Sequence, residues 1–475
     1  MAVNAPRQQT VVAPFRDPGA VLLLSCYELG REPLNLAFPA AYLQRAGYKP
    51  RSVDMAIDPL GDDAIRDARL VAISVPMHTA LRLGIEVAQR VRRVNPGARI
   101  CFYGLYAWMN AEYILEEFGD YVIGGEFEQP LLELVQDLES GGDGDVDGVS
   151  TSGRRREPSL VRIEFPAPDR SELPGAGKYA WLIDGDRQVP AGYTEATRGC
   201  HHLCKHCPVV PLYNGRFFAV PRSVVIDDIQ SQVKRGAEHI SFGDPDALNG
   251  PTHLLRIMRA IHDEYPSVTF DITTRVEHIL ENREIFPELG DLGCIFIISA
   301  VESLSDLVLE RIDKGHRKED VVEALAICDD AGIALRPSLL PFTPWTTMDD
   351  YIKLLTFIEE HEMIEHVDPV HLSIRLLVPP GSSLLDEEET REWIGPLDRA
   401  ALTYRWTHED PRVDALQQRV ASIAESAEQD GWDPYDTFAA IRMATYQIAG
   451  LPAPDIPVKR GSRKPPPRLT ESWFC

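Results

Sequence analysis

Apolar residues in the first third of the chain come in short runs separated by amphipathic stretches. Val21–Ser25 (VLLLS) and Leu70–Val75 (LVAISV) are continuous apolar runs of buried-strand length. Ser52–Ile57, Arg99–Tyr103 and Tyr121–Ile123 read as further strands. Residues 35–46 read as a helix closed by Gly47. Leu81, Ile85, Ala88, Val91 and Val94 fall at helical spacing until Asn95-Pro96-Gly97 stops them, and Gln129–Glu139 is a third helix. Strand and helix alternating in this way predict an α/β domain with a doubly wound parallel sheet over residues 17–140.

A second alternating series begins at Gly192. Its predicted strands are Tyr193–Thr197, His239–Phe242, Thr269–Thr273, Ile295–Ser299, Ala334–Leu339 and His371–Leu377. Helical stretches separate them, among them Ser223–Arg235, His253–Tyr265, Lys318–Ala331 and Met348–His361. Six such repeats predict a partial (β/α)6 barrel over residues 191–385, an architecture that gathers chemistry at the C-terminal ends of its strands. Residues 141–190 read as linker and connecting segment, rich in Gly, Asp and Ser at first and then broken by prolines. A helical region is predicted over 386–450, a Pro-rich basic tail over 451–475 and a loose tail over 1–16.

Charge narrows the partners. The 475 residues include 73 acidic and 48 basic side chains, a formal net charge of −25. Such a surface repels nucleic acid and anionic membranes, so neither is an expected partner. No apolar run reaches the ~18 residues of a membrane span, and Met1–Thr10 has no apolar core of the signal-peptide kind. Of the eight cysteines only three are clustered, which suits a reducing cytoplasm and a metal site better than a disulfide scaffold.

Those three are Cys200, Cys204 and Cys207, a C-x-x-x-C-x-x-C triplet just after the first predicted barrel strand. A 4Fe-4S cluster normally takes four thiolates. Three would leave one iron open to a ligand with an amine and a carboxylate on one carbon. Zinc is the competing reading, with His201, His202 or His206 as fourth ligand.

The triplet, its position and the segments behind it resemble the radical S-adenosylmethionine (SAM) superfamily over roughly residues 190–385. The resemblance implies a 4Fe-4S cluster on Cys200, Cys204 and Cys207, SAM bound to its open iron, and reductive cleavage of SAM to a carbon radical. It implies that His206 lies near the adenine, where the family commonly has an aromatic ring. Phe242-Gly243-Asp244 resembles the glycine–acid motif that meets the SAM ammonium, so Gly243 and Asp244 are expected cofactor contacts. Ile298-Ser299-Ala300-Val301-Glu302 resembles the strand that carries Ser299 and Glu302 toward the ribose and methionine ends. Pro379-Pro380-Gly381-Ser382 resembles the turn near the adenine. Arg275 or Arg336 could clamp the SAM carboxylate bidentately, or each could sit in an ion pair. For Asp244, Glu302 and Gly381 the plain alternatives are turn and cap chemistry.

The first domain resembles the cobalamin-binding domains that precede many radical SAM barrels. Gly124-Gly125-Glu126-Phe127-Glu128 resembles their Gly-Glu-x-Glu segment, yet Asp58-Pro59-Leu60-Gly61 stands where a cobalt-ligating histidine motif would be. Two readings stand: cobalamin held without a protein ligand, or a domain that shapes the mouth of the active site. The last residues, Glu471 to Cys475, resemble the start of the tail of the CUAEP/CCAEP radical SAM (seleno)protein group, cut at a selenocysteine codon. That resemblance implies a chemical role for Cys475 and 3-amino-3-carboxypropyl transfer from SAM to arsenic. The alternatives are a cobalamin-dependent methyltransferase and, from another class, a non-catalytic metal-binding scaffold. A small-molecule substrate and a reductase such as flavodoxin or ferredoxin are the implied partners.

Overall fold

The computed structural model describes residues 14–452, 454 and 457–470. The chain divides into two compact units. One holds the chain up to Glu28 together with Pro33–Leu173, and the other holds Leu29–Glu32 and everything from Pro174 onward.

The first unit is built on six strands, β1 (Val21–Ser25), β2 (Arg51–Asp54), β3 (Leu70–Ser74), β4 (Arg99–Tyr103), β5 (Tyr121–Ile123) and β6 (Val149–Thr151). They form one sheet in the order β2-β1-β3-β4-β5-β6. The first five pair in parallel and β6 runs antiparallel at the edge. The central strands β1 and β3 are buried along their whole length, the result of continuous apolar runs covered on both faces. Leu23, Ala72, Cys101 and Ile123 pack against Leu36, Leu43, Leu131 and Leu134 of the flanking helices Leu34–Arg45 and Glu128–Glu139. Two details differ from the sequence pattern. Phe15 is buried in this core rather than lying in a loose tail. The Gly- and Asp-rich stretch read as linker contains β6, which pairs through Ser150 to Val122.

The second unit opens with a hairpin, β7 (Trp181–Asp184) and β8 (Arg187–Thr194), followed by the short antiparallel pair β9 (Thr197–Gly199) and β10 (Phe217–Ala219). Then come β11 (His239–Phe242), β12 (Thr269–Thr274), β13 (Cys294–Glu302) and β14 (Ala334–Leu339). A hairpin of β15 (Ile394–Asp398) and β16 (Thr403–Trp406) precedes two long helices, Pro411–Asp430 and Pro434–Ala449, and β17 (Arg468–Leu469) closes the described chain. The main sheet has the order β14-β13-β12-β11-β8-β7-β17. From β8 to β14 all pairings are parallel, giving an open half-barrel with helices between successive strands. The predicted strand at His371–Leu377 is instead a 3-10 turn, Pro369–Leu372, followed by a single parallel bridge from Arg375 to Phe342. That bridge holds the sixth position beyond β14.

Residues 29–32 belong to this second unit although they fall inside the sequence of the first. Glu32 forms a buried ion pair with Arg235 at 2.8 Å, Gly30 accepts a backbone hydrogen bond from Ala180, and the Arg31 guanidinium lies 4.8 Å from the centre of the Tyr193 ring. Among the described residues no helix is long and apolar enough to cross a membrane.

Candidate active site at the strand ends of the half-barrel

The thiol loop is held at both of its ends. Gly199 pairs with Phe217 in the β9–β10 ladder, so residues 200–216 form a closed excursion at the C-terminal end of β8. Within it the Cys207 amide donates to the Cys204 carbonyl at 3.0 Å. No disulfide joins the three cysteines; all are free. Burial pushes the Cys207 thiol up to about 12, and it raises Cys200 as well, with the neighbouring thiols adding to both. Three electrostatically coupled thiols on one loop, whose charge is opposed by burial, are a donor set that a metal centre would deprotonate. The residues present therefore fit a three-thiolate iron–sulfur group.

The side chains around the triad come from two strand ends, a later turn and the thiol loop itself. Arg275 follows β12 and donates to the Cys204 sulfur, to Glu277 and to the Lys314 carbonyl. Glu302 ends β13 in the left-handed region at φ 62°, where the β13–β14 register shifts between Ala300 and Glu302. The bulge turns the Glu302 carboxylate to Lys314 at 3.1 Å and to His206 Nε2 at 3.4 Å. Burial alone would raise the Glu302 carboxyl, but the Lys314 ammonium outweighs it and holds the group well below the usual range. Cys204, Arg275, Lys314, Glu302 and His206 thus form one connected polar chain.

Two polar atoms near that chain are buried without a hydrogen-bond partner: Ser299 Oγ and His206 Nδ1. Ser299 is fully buried on β13, three residues before Glu302. Unpaired buried polar atoms are costly unless a ligand satisfies them. A polar ligand such as SAM fits this donor set.

Other residues singled out in the sequence are engaged elsewhere. Both oxygens of Asp244 are used, one accepting from the Ala196 amide at 2.9 Å and the other from Thr197 Oγ1 at 2.6 Å. This carboxylate pins β9, the strand that launches the thiol loop. Gly243 is required because a β-carbon there would collide with the Tyr193 ring, a close approach within the protein. Arg336 makes a bidentate pair with Asp368 at 2.7 and 2.8 Å and so is an ion-pair partner, not a free carboxylate clamp. Gly381, at φ 78° with nothing near its α-carbon, is plain turn chemistry. Cys475 lies outside the described residues. Lys314, which completes the polar chain, was missed by the sequence reading. Its only local signal is a cation in the Asp313-Lys314-Gly315 turn that follows the Glu302 strand.

In the first unit the glycines of Gly124-Gly125 are filled by the protein itself. A β-carbon on Gly124 would sit 2.6 Å from Trp108, and one on Gly125 would collide with the Ser159 carbonyl. The Trp108 indole donates to the Arg156 carbonyl at 3.3 Å and is covered by the Arg155 guanidinium at 4.5 Å. These residues do not form a cradle for cobalamin. A cavity of about 1050 Å³ in this unit is lined by Tyr42, Arg45, Glu133 and Arg155 and by none of the strand-end residues above.

Residues 194–358 match the model of the Radical SAM superfamily. The chain is similar to the anaerobic magnesium-protoporphyrin IX monomethyl ester cyclase of Rubrivivax gelatinosus, 24% identical over 319 residues, covering 63% of this chain and 57% of that protein. It is also similar to the hopanoid C-3 methylase of Methylococcus capsulatus, 26% identical over 325 residues, covering 66% of this chain and 62% of that protein. The chain therefore spans somewhat under two thirds of either relative. Among solved structures, the cobalamin-dependent S-adenosylmethionine radical enzyme OxsB superposes with a TM-score of 0.71 at 16% identity, covering 91% of this chain and 72% of that one. The radical SAM methyltransferase TsrM from Kitasatospora setae gives 0.58 at 16% identity, covering 72% of this chain and 73% of that one. At these identities the structural likeness establishes the fold. Residues 194–358 form a radical SAM superfamily domain.

Proposed function

We propose that this chain reductively cleaves SAM and uses the product to transfer a group onto a small molecule. Cys200, Cys204 and Cys207 would hold a 4Fe-4S cluster, which when bound supplies an electron to the SAM sulfonium and so releases a carbon radical. Ser299 Oγ and His206 Nδ1 offer hydrogen bonds to the polar parts of SAM. Arg275 and Lys314 place two positive charges beside the thiolate sulfurs and Glu302, offsetting part of their negative charge. The observation that carries the reading is the set of three free thiols on one loop, together with two unpaired buried polar atoms, His206 Nδ1 on that loop and Ser299 Oγ on β13. Group transfer is favoured because the relatives include a methylase and several methylthiotransferases. A reductase of the flavodoxin or ferredoxin kind would supply electrons.

Anaerobic reconstitution tests this directly. About four irons per chain are expected, with dithionite-dependent SAM cleavage that the Cys200→Ala, Cys204→Ala, Cys207→Ala triple variant lacks. Cleavage that survives the triple variant overturns the reading. The products also settle its narrowest form, 3-amino-3-carboxypropyl transfer to arsenic, which rests on the tail resemblance at Cys475. Methylthioadenosine formed in the presence of arsenite supports that form. Deoxyadenosine as sole product, unaffected by arsenite, rules it out.

A further inference from the structure

A second donor set, of nitrogen and oxygen rather than sulfur, lies beside the thiol loop. Asp246 is fully buried, and its Oδ1 accepts from Thr274 Oγ1 at 2.8 Å and from the Leu248 amide at 3.2 Å. Those two bonds fix the carboxylate and leave Oδ2 to face two imidazoles. His278, in the helix Val276–Glu281, places Nδ1 2.8 Å from that oxygen. Both atoms are buried, and they form an ion pair whenever His278 is protonated; neither has another hydrogen-bond partner. His202, from the thiol loop, brings Nε2 to 3.1 Å from His278 Nε2 and 4.0 Å from Asp246 Oδ2. One donor atom from each of the three residues lies within 4.8 Å of the other two.

A buried carboxylate oxygen facing two imidazoles is a donor set that a divalent cation can join in place of the proton of the ion pair. With ligand bonds of about 2.1 Å, donor atoms in tetrahedral or octahedral sites stand about 3.0–3.4 Å apart; one ring nitrogen of His278 would ligate, and the 4.0 Å between His202 Nε2 and Asp246 Oδ2 would shorten on binding. Two imidazoles and one carboxylate select a divalent first-row transition ion over magnesium or calcium, which prefer all-oxygen shells. Glu277, 3.8 Å from His202 Nδ1, is placed to orient that ring from behind. We propose that His202, Asp246 and His278 bind one divalent ion of the zinc or ferrous class, distinct from the group on the three thiols. Three protein ligands leave a further position open to water or to a donor atom of a small molecule. The site stands on its own residues, whatever reaction the thiol centre performs.

The test uses the full chain with its iron–sulfur group reconstituted, so that the cysteines are occupied, then exposed to Zn2+ and desalted. One zinc per chain is expected in addition to iron. Its X-ray absorption edge should show a nitrogen and oxygen shell at about 2.0–2.1 Å and no sulfur at about 2.3 Å. His278→Gln and Asp246→Asn should each lose the zinc, a fall in affinity of at least the 10–100-fold seen for outer-shell partners, while keeping their iron. Asp246→Asn retains an oxygen for the Thr274 and Leu248 bonds. If either variant fails to fold, His202→Gln, on the loop, removes one ligand with the smallest change to the core. Absence of zinc, a sulfur shell, or zinc retained by the folded variants overturns the proposal.

Discussion

Lys314 Nζ lies 3.1 Å from Glu302 Oε1, and the two side chains are only 4% and 12% exposed. A buried pair of this kind is strongly coupled, because either partner left alone is an unpaired charge away from water. Lys314→Met is expected to destabilise the second unit by about 3 kcal/mol. Glu302→Gln added to it should recover part of that loss, with a coupling of about 1–3 kcal/mol. Denaturant unfolding of both singles and the double measures it. Additive effects would mean that the two charges do not depend on each other.

Arg275 donates to the sulfur of Cys204. Hydrogen bonds to cluster sulfurs stabilise the reduced, more negative state and raise the reduction potential. Arg275→Met should therefore lower the midpoint potential of the reconstituted centre, and Arg275→Lys should lower it less. A redox titration followed by electron paramagnetic resonance reads both. An unchanged potential in Arg275→Met would show that the bond is not made to the loaded site.

Burial drives the Asp244 carboxyl up to about 6, against the hydrogen bonds from Thr197 and Ala196 that favour its charge. Its unfolded value is about 3.9. Between those values the folded chain holds the extra proton, so stability falls as pH rises through about 4 to about 6. Above that window the buried charge costs roughly 3 kcal/mol. Asp244→Asn cannot ionise and should remove this slope, so its melting temperature relative to the wild type should improve from about pH 4 to about pH 7. Parallel melting curves for the two proteins across that range would contradict the assignment.

The first unit is expected not to retain cobalamin. Trp108 and Ser159 occupy the space beside Gly124 and Gly125. Incubation of the full chain with hydroxocobalamin followed by gel filtration should leave no corrin absorbance with the protein. Co-elution at one corrin per chain would show that another surface of the unit takes it. Gly124→Ala should also cost stability, since its methyl group would be driven into the Trp108 ring.

Much of the architecture is legible in the residues because the signals are local. Val21–Ser25 and Leu70–Ser74 are apolar up to a terminal serine and form central strands, and Asn95-Pro96-Gly97 ends its helix where expected. The hairpin of β7 and β8 was missed although Asp184-Gly185 is an ordinary turn signal, because the surrounding prolines read as irregular chain. The strand expected at His371–Leu377 failed for a different reason: Pro369 begins a 3-10 turn, and only Arg375 and its neighbours reach the sheet edge. In the site, the C-x-x-x-C-x-x-C spacing alone singles out Cys200, Cys204 and Cys207. The partners of Asp244, Arg336 and Lys314 are set by residues 32 to 48 positions away or across a turn, which no local pattern encodes.

Residues 29–32 fix the order in which this molecule can be assembled. They leave the ribosome roughly 150 to 200 residues before Ala180, Tyr193 and Arg235, which hold them, a delay of about 8–40 s at ordinary synthesis rates. Until then four residues ahead of the first helix have nowhere to dock. A fragment beginning at Pro174 would repeat that deficit permanently, with the Arg235 guanidinium deprived of Glu32. Excising the half-barrel for study therefore requires carrying this short strap along, by circular permutation or as an added peptide, rather than a single cut between the units.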